Sequence, residues 1–269
     1  MSAALASGYW QNLTTRDLQG LDPEAVIALL PVGAVEQHGP HLPLGTDTLI
    51  NEGIVGELLA RVPGDLTLLV LPTIAVGESV EHGAFPGTLT VSPELAIALW
   101  SEIGAAVSKA GLRKLVLFNS HGGQTQIVDI VAQRLRSEHG MLVARTSYFA
   151  FGLPEGLIDA QELDHGLHGG AFETSLMLHL HPELVRESEI ANFTPASLAM
   201  ARDYAVLRPE GPGAFAWASQ DLHPSGAIGD ATQASAEIGA QILAHVVDQL
   251  RLLLLDLRKA PLSLLKEGP

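Results

Sequence analysis

Short apolar runs alternate with helix-length segments along most of this chain, and that alternation constrains the fold more than any other feature. Ala25 to Gly33, Leu66 to Pro72, Arg113 to Phe118 and Met141 to Ser147 are rich in Val, Leu and Ile and too short for core helices, so they are expected to be strands. Asp47 to Arg61, Ser92 to Ala110 and the segment running to Glu138 are expected to be the helices between them, the second with Ser92 as N-cap and Pro93 in its first turn. Strand-helix alternation predicts a mainly parallel sheet covered on both faces, an α/β fold. Glu173 to His181 and Ala231 to Leu257 add two further expected helices. Phe149 to Gly170 reads as a long loop of the kind used as a lid, and the Gly/Pro-rich stretch Pro209 to Gly229 is expected to wrap near the site.

The chain has 269 residues, 47% of them hydrophobic, enough to bury roughly three quarters of its unfolded surface in one domain, residues 1–269. Its 15 basic against 30 acidic residues exclude nucleic acid as an expected partner, because phosphate binding needs clustered Lys and Arg. The absence of cysteine excludes disulfides, thiolate metal sites and Cys nucleophiles. No basic segment followed by an apolar one marks MSAALASGYWQNLTTRD as a signal peptide, and the late run Leu250 to Leu257 is interrupted by Arg251 and Asp256. A cytoplasmic protein with no membrane partner is the expectation.

Chemistry concentrates in three segments. In LPVGAVEQHGPHLPLGTD, an extended backbone would point Glu36 and His38 the same way, and the reversal through Gly39, Pro40, Pro43 and Gly45 could fold Asp47 back onto them as a carboxylate able to bridge two cations. The competing reading makes Glu36 and His38 solvated loop residues and Asp47 a helix cap. NSHGGQ places His121 beyond the end of the Arg113 strand, where open α/β sheets bind ligands. HGGAFETS brings His168 and Glu173 around the start of another helix. His139, His179, His181 and His245 lie outside these motifs.

Together with the late GAIGDATQASAEIG, these motifs resemble the creatininase family of metal-dependent amidohydrolases over roughly Leu30 to Gly239. The resemblance implies a three-layer α/β/α fold, two divalent ions per chain (zinc or manganese, with ferrous iron also admissible) and a homo-oligomer, a hexamer built as a trimer of dimers. It implies Glu36, His38, Asp47, His121 and Glu173 as ligands, with Asp47 as the bridge. His168 is the implied proton donor, and Glu173 counts as catalytic as well as ligating. Ser79 and His82, from GESVEHGAFPGT, and Gly122 and Gly123 are expected at the substrate. His41 is expected to orient a ligand carboxylate through its ring N–H.

The chain also departs from creatininase itself. That enzyme has a carboxylate ligand where Gly123 stands and a Glu where Leu167 stands, and it closes its flap with tryptophans where Tyr148 to Leu167 carries none. The expected substrate is therefore a small molecule with a formamide or peptide-like amide rather than creatinine, attacked by a water whose pKa two cations lower from 15.7 toward about 7. Two alternatives stay open: hydrolysis of a carbon–carbon bond in a cyclic diketone, and a catalytically silent metal-binding homologue. A phosphate cradle at NSHGGQ is disfavoured, since the segment has no Lys and matches neither glycine-rich nucleotide motif.

Overall fold

The computed structural model describes residues 5–266. Its centre is a five-stranded sheet in the order β1-β3-β2-β4-β5, built from Gly8–Tyr9 (β1), Val26–Val32 (β2), Thr67–Val70 (β3), Lys114–Asn119 (β4) and Leu142–Ser147 (β5). Every pairing is parallel. All of β2 and β4 is buried, which is why β2 and the Leu115 to Phe118 centre of β4 read as continuous apolar runs rather than alternating ones. Four strands fall where the sequence predicts them. The edge strand β1 was not anticipated, because two residues offer no periodicity to read.

Helices cover both faces. Thr46–Arg61 (α1), Ala171–Leu180 (α5) and Ala236–Lys259 (α8) pack on one face, and Pro93–Lys109 (α2) with Thr125–His139 (α3) on the other. The result is the expected three-layer α/β/α arrangement. Ser92 caps α2 by accepting from the Leu95 N–H at 3.3 Å, and Gly140, at φ 60°, ends α3 just beyond His139. The late apolar run belongs to α8, which by length and composition could cross a membrane. Here Ile242, Val246, Leu250, Leu254 and Leu257 are buried in the core it shares with α1 and α5.

The Phe149 to Gly170 region is not one loop. It holds a 3-10 turn, Phe149–Phe151, and the short helix Ala160–His165 (α4), capped by Asp159, which accepts from Gln161 N–H at 2.8 Å. Six residues are too few to show an amphipathic period. Asn192–Phe193 (β6) and Gly229–Asp230 (β7) form a small antiparallel pair, with Ala196–Asp203 (α6) and Ser219–Leu222 (α7) between them in sequence.

Topology places the site. From β2 the chain crosses through α1 on one face to β3, and from β4 it crosses through α3 on the other face to β5, so a crevice opens between the carboxyl ends of β2 and β4. Asn51 of α1 closes its floor, its Nδ2 donating to the Phe118 carbonyl at 3.1 Å, the Ser120 hydroxyl at 3.1 Å and the Val32 carbonyl at 3.3 Å. Glu36 and His38 follow β2 at this crevice, and His121 follows β4.

Candidate metal centre

Beyond Val32 the chain is no longer in the sheet, yet Val35 makes an isolated bridge to Leu89 that keeps the backbone aligned. Glu36 Oε1 and His38 Nε2 converge to 4.0 Å, both fully buried. His38 Nδ1–H donates to the Glu36 carbonyl at 3.1 Å, which leaves Nε2 as the free lone pair. Asp47 is not a cap: Gly45 takes the N-cap position and Asp47 sits inside the first turn of α1. Its two oxygens face different histidines, Oδ1 at 3.3 Å from His38 Nε2 and Oδ2 at 3.4 Å from His121 Nδ1.

Asn119 sets the His121 backbone, accepting from its N–H at 3.1 Å and donating to its carbonyl at 2.6 Å. Its ring then lies with Nδ1 3.2 Å from Glu36 Oε1. Glu173, on α5, puts Oε2 3.9 Å from His38 Nε2. Tyr148 O–H donates to Glu173 Oε1 at 2.9 Å and Gly169 N–H to Oε2 at 2.6 Å, fixing the carboxylate from both sides.

Three compact groups result: Glu36 with His38 and His168, Glu36 with Asp47 and His121, and His38 with Asp47 and Glu173, the last two sharing Asp47. Glu36 Oε1 and Oε2, His38 Nε2 and Asp47 Oδ2 are buried with no hydrogen-bond partner. Leaving these buried polar atoms unpaired is destabilising, and divalent cations at the two sets that share Asp47 would supply the missing partners. The donor set, nitrogen and oxygen without sulfur, fits zinc or manganese.

Charge points the same way. Burial works against the imidazolium of His38, but the Asp47 carboxylate, with Glu173 and Glu36, outweighs it and holds the pKa up at about 10. His121 is likewise buried and likewise raised, chiefly by Glu36 and Asp47. Burial also opposes ionisation of Asp47, yet His38 and His121 keep its pKa low. Without metal, two imidazolium protons stand in for the cations.

A pH dependence follows for the metal-free protein. The stability contributed by the His38 imidazolium is complete below the ordinary value of 6.5 and is lost as pH rises through about 10. The melting temperature of chelator-treated protein should therefore fall between pH 7 and 10, and zinc should abolish that fall. A flat profile without metal would contradict this charge balance.

His168 packs between His38 and His82, ring centroids 4.2 and 4.1 Å away. Its Nε2–H donates to the Gln37 carbonyl at 2.6 Å, leaving Nδ1 free and 3.8 Å from Glu36 Oε1. Burial and the nearby His38 charge lower its pKa, so it is neutral at pH 7. The His168 backbone is bridged to Ile228, which brings the Pro209 to Gly229 stretch against the site as expected.

The remaining site candidates lie close by, in differing roles. The Gln37 side-chain amide donates to His82 Nδ1 at 2.7 Å, so His82 carries its hydrogen on Nε2, 3.4 Å from Glu36 Oε1. Ser79 is fully buried with Oγ 3.5 Å from His121 Nε2. In this structure both residues back the ligands. Gly122 borders open space, whereas Gly123 lies against Glu81. His41 does not reach a ligand carboxylate. It pairs with the Thr174 hydroxyl at 2.9 Å, which itself donates to the Gly169 carbonyl, so it braces the loop that holds Glu173. Tyr148, expected as a flap aromatic, is buried, and its hydroxyl holds Glu173.

The sequence profile of the creatininase family, described as creatinine amidohydrolase, matches residues 11–254. The chain belongs to the creatininase family. Within it, the mycofactocin precursor peptide peptidase of Mycolicibacterium smegmatis is 33% identical over 239 residues, 87% of this chain and 85% of that protein. The creatinine amidohydrolase of Pseudomonas putida is 29% identical over 187 residues, 64% of this chain and 70% of that enzyme. The 3-dehydro-scyllo-inosose hydrolase of Thermotoga maritima is 25% identical over 269 residues, 93% of this chain and 83% of that enzyme. Among solved structures, a manganese creatininase superposes with TM-score 0.75 at 25% identity, covering 93% of this chain and 98% of its own. A zinc–zinc form of a creatininase mutant gives 0.74 at 26% identity, covering 94% and 98%. This chain is thus a creatininase-family hydrolase by kinship, with a buried His, Glu and Asp cluster able to hold metal.

Proposed function

We propose that this protein is a metal-dependent amidohydrolase that cleaves a peptide-like or formamide C–N bond. The observation that carries the reading is the shared carboxylate: Asp47 faces His38 with one oxygen and His121 with the other. Glu36, Asp47 and His121 would hold one divalent ion, and His38, Asp47 and Glu173 a second. Bound there, zinc or manganese would supply a nucleophilic water at neutral pH and polarise the scissile carbonyl.

The chain's own residues do the rest. Tyr148 and Gly169 N–H hold Glu173 in one orientation, and burial together with the Glu173 charge keeps the Tyr148 hydroxyl protonated as a donor. His168, neutral and anchored through Nε2–H, can take a proton at Nδ1 and pass it to the departing nitrogen. That proton converts a poor amide leaving group into an amine. Ser120 is no nucleophile, since its hydroxyl is buried and directed to the Val32 carbonyl at 3.3 Å.

Amide cleavage is preferred to carbon–carbon hydrolysis because the peptidase relative is 33% identical and the inosose hydrolase 25%. Creatinine is a poor fit. With Tyr148 buried and Phe151 packed against the core, Phe149 is the one exposed aromatic of the expected flap, and Leu167 stands where creatininase has an acid. Metal-loaded protein is expected to cleave a formamide or short peptide measurably and creatinine negligibly. Creatinine turnover at rates of working enzymes, on the order of 1 to 10³ per second, would refute that narrowing. A cytoplasmic homo-oligomer completes the proposal, with Leu44, Val80 and Leu89 exposed on the loops around the site as surface for a second copy to cover. Sedimentation at a monomer's mass would remove that part.

A further inference from the structure

Glycine at position 123 is not required by its backbone, whose φ lies outside the left-handed region. What chiefly forbids a side chain there is Glu81, with the His121 ring close behind it. A Cβ built on Gly123 would run into the Glu81 carboxylate and come within 2.7 Å of His121 Nε2. Glu81 belongs to the 3-10 turn Val80–His82, far from the NSHGGQ segment in sequence. Its Oε1 is 3.3 Å from His121 Nε2, and the carboxylate is only 12% exposed. On the opposite edge of the same ring, Nδ1 faces Glu36 and Asp47. The ring is therefore held between two carboxylate environments, one on each nitrogen.

Resting on the reading that Glu36, Asp47 and His121 hold an ion, we propose that Glu81 is the positioning carboxylate of His121. It accepts the Nε2–H, so that Nδ1 presents its lone pair to the metal. Gly123 is glycine because this acid, delivered from a separate turn, occupies the space its side chain would need. A histidine that ligates a metal through one nitrogen gains basicity and a fixed ring orientation when a carboxylate takes the hydrogen of the other.

Calorimetric titration of chelator-stripped protein with zinc at neutral pH tests this, with folding of each variant checked by circular dichroism. Wild type should bind two ions. Glu81→Gln should weaken one of the two by about 10- to 100-fold and leave the other unchanged. Gly123→Ala, which pushes a methyl against the Glu81 carboxylate, should weaken the same ion, and should weaken it less in a Glu81→Ala background, where the His121 ring alone is crowded. Wild-type behaviour of Glu81→Gln would overturn the positioning role, as would equal weakening of both ions or an equal effect of Gly123→Ala with and without Glu81. A wild type that binds no zinc would overturn the metal reading itself, and that result is separate because no variant enters it.

Discussion

Asp47→Asn should retain neither ion after loading and desalting. The substitution keeps the side chain's shape within the first turn of α1 while removing the charge both ligand sets share. Each set would be left with one carboxylate and one imidazole, and His38 and His121 would lose the acid that lies 3.3 and 3.4 Å from them. Asp47→Ala should give the same result. Full metal occupancy in either variant, measured by elemental analysis on folded protein, would rule out a bridging Asp47.

His168→Ala has the second large effect and the opposite signature. The ring lies beside both ligand sets but anchors through the Gln37 carbonyl, so both metals should stay while kcat falls by about 10²- to 10⁴-fold on an unactivated amide. A substrate with a good leaving group needs less help from a proton donor and should lose less. His168 also forms a possible ligand set with Glu36 and His38, so loss of an ion in this variant would identify it as a ligand. Equal losses on good and poor leaving groups would remove the acid role.

Much of this was legible in the sequence for a simple reason: the fold repeats local patterns. Val26–Val32 is apolar from end to end and Lys114–Asn119 is apolar between its two ends, and their positions at the switch in strand order place Glu36, His38 and His121 together. The convergence of Glu36 and His38 was legible from spacing two apart, because the Val35–Leu89 bridge keeps the chain extended past the sheet. The supporting groups were not legible. Gln37 reaches His82 and the Gly226 carbonyl, Glu81 reaches His121, and Tyr148 reaches Glu173. None of these pairs has a local pattern, since tertiary packing alone brings the partners together.

Glu162 illustrates the same limit. It lies in α4, within a stretch expected to be irregular, yet its carboxylate accepts from the Ala171 N–H at 2.8 Å and the Asp230 N–H at 2.6 Å. It thereby ties the start of α5, which carries Glu173, to β7. Gly166, Gly170 and Gly229 line this carboxylate so closely that a Cβ on any of them would strike it. A helix of six residues with one inward acid presents no stripe to read, so neither its existence nor its work could be deduced from the sequence.

The central claim is a pair of cations bridged by Asp47, and anomalous diffraction from crystals of zinc-loaded protein, recorded on both sides of the zinc edge, tests it most directly. The account predicts two peaks, one among Glu36, Asp47 and His121 and one among His38, Asp47 and Glu173, both within bonding distance of the Asp47 carboxylate. A single peak that leaves Asp47 unbound, or no peak at this cluster, would contradict it.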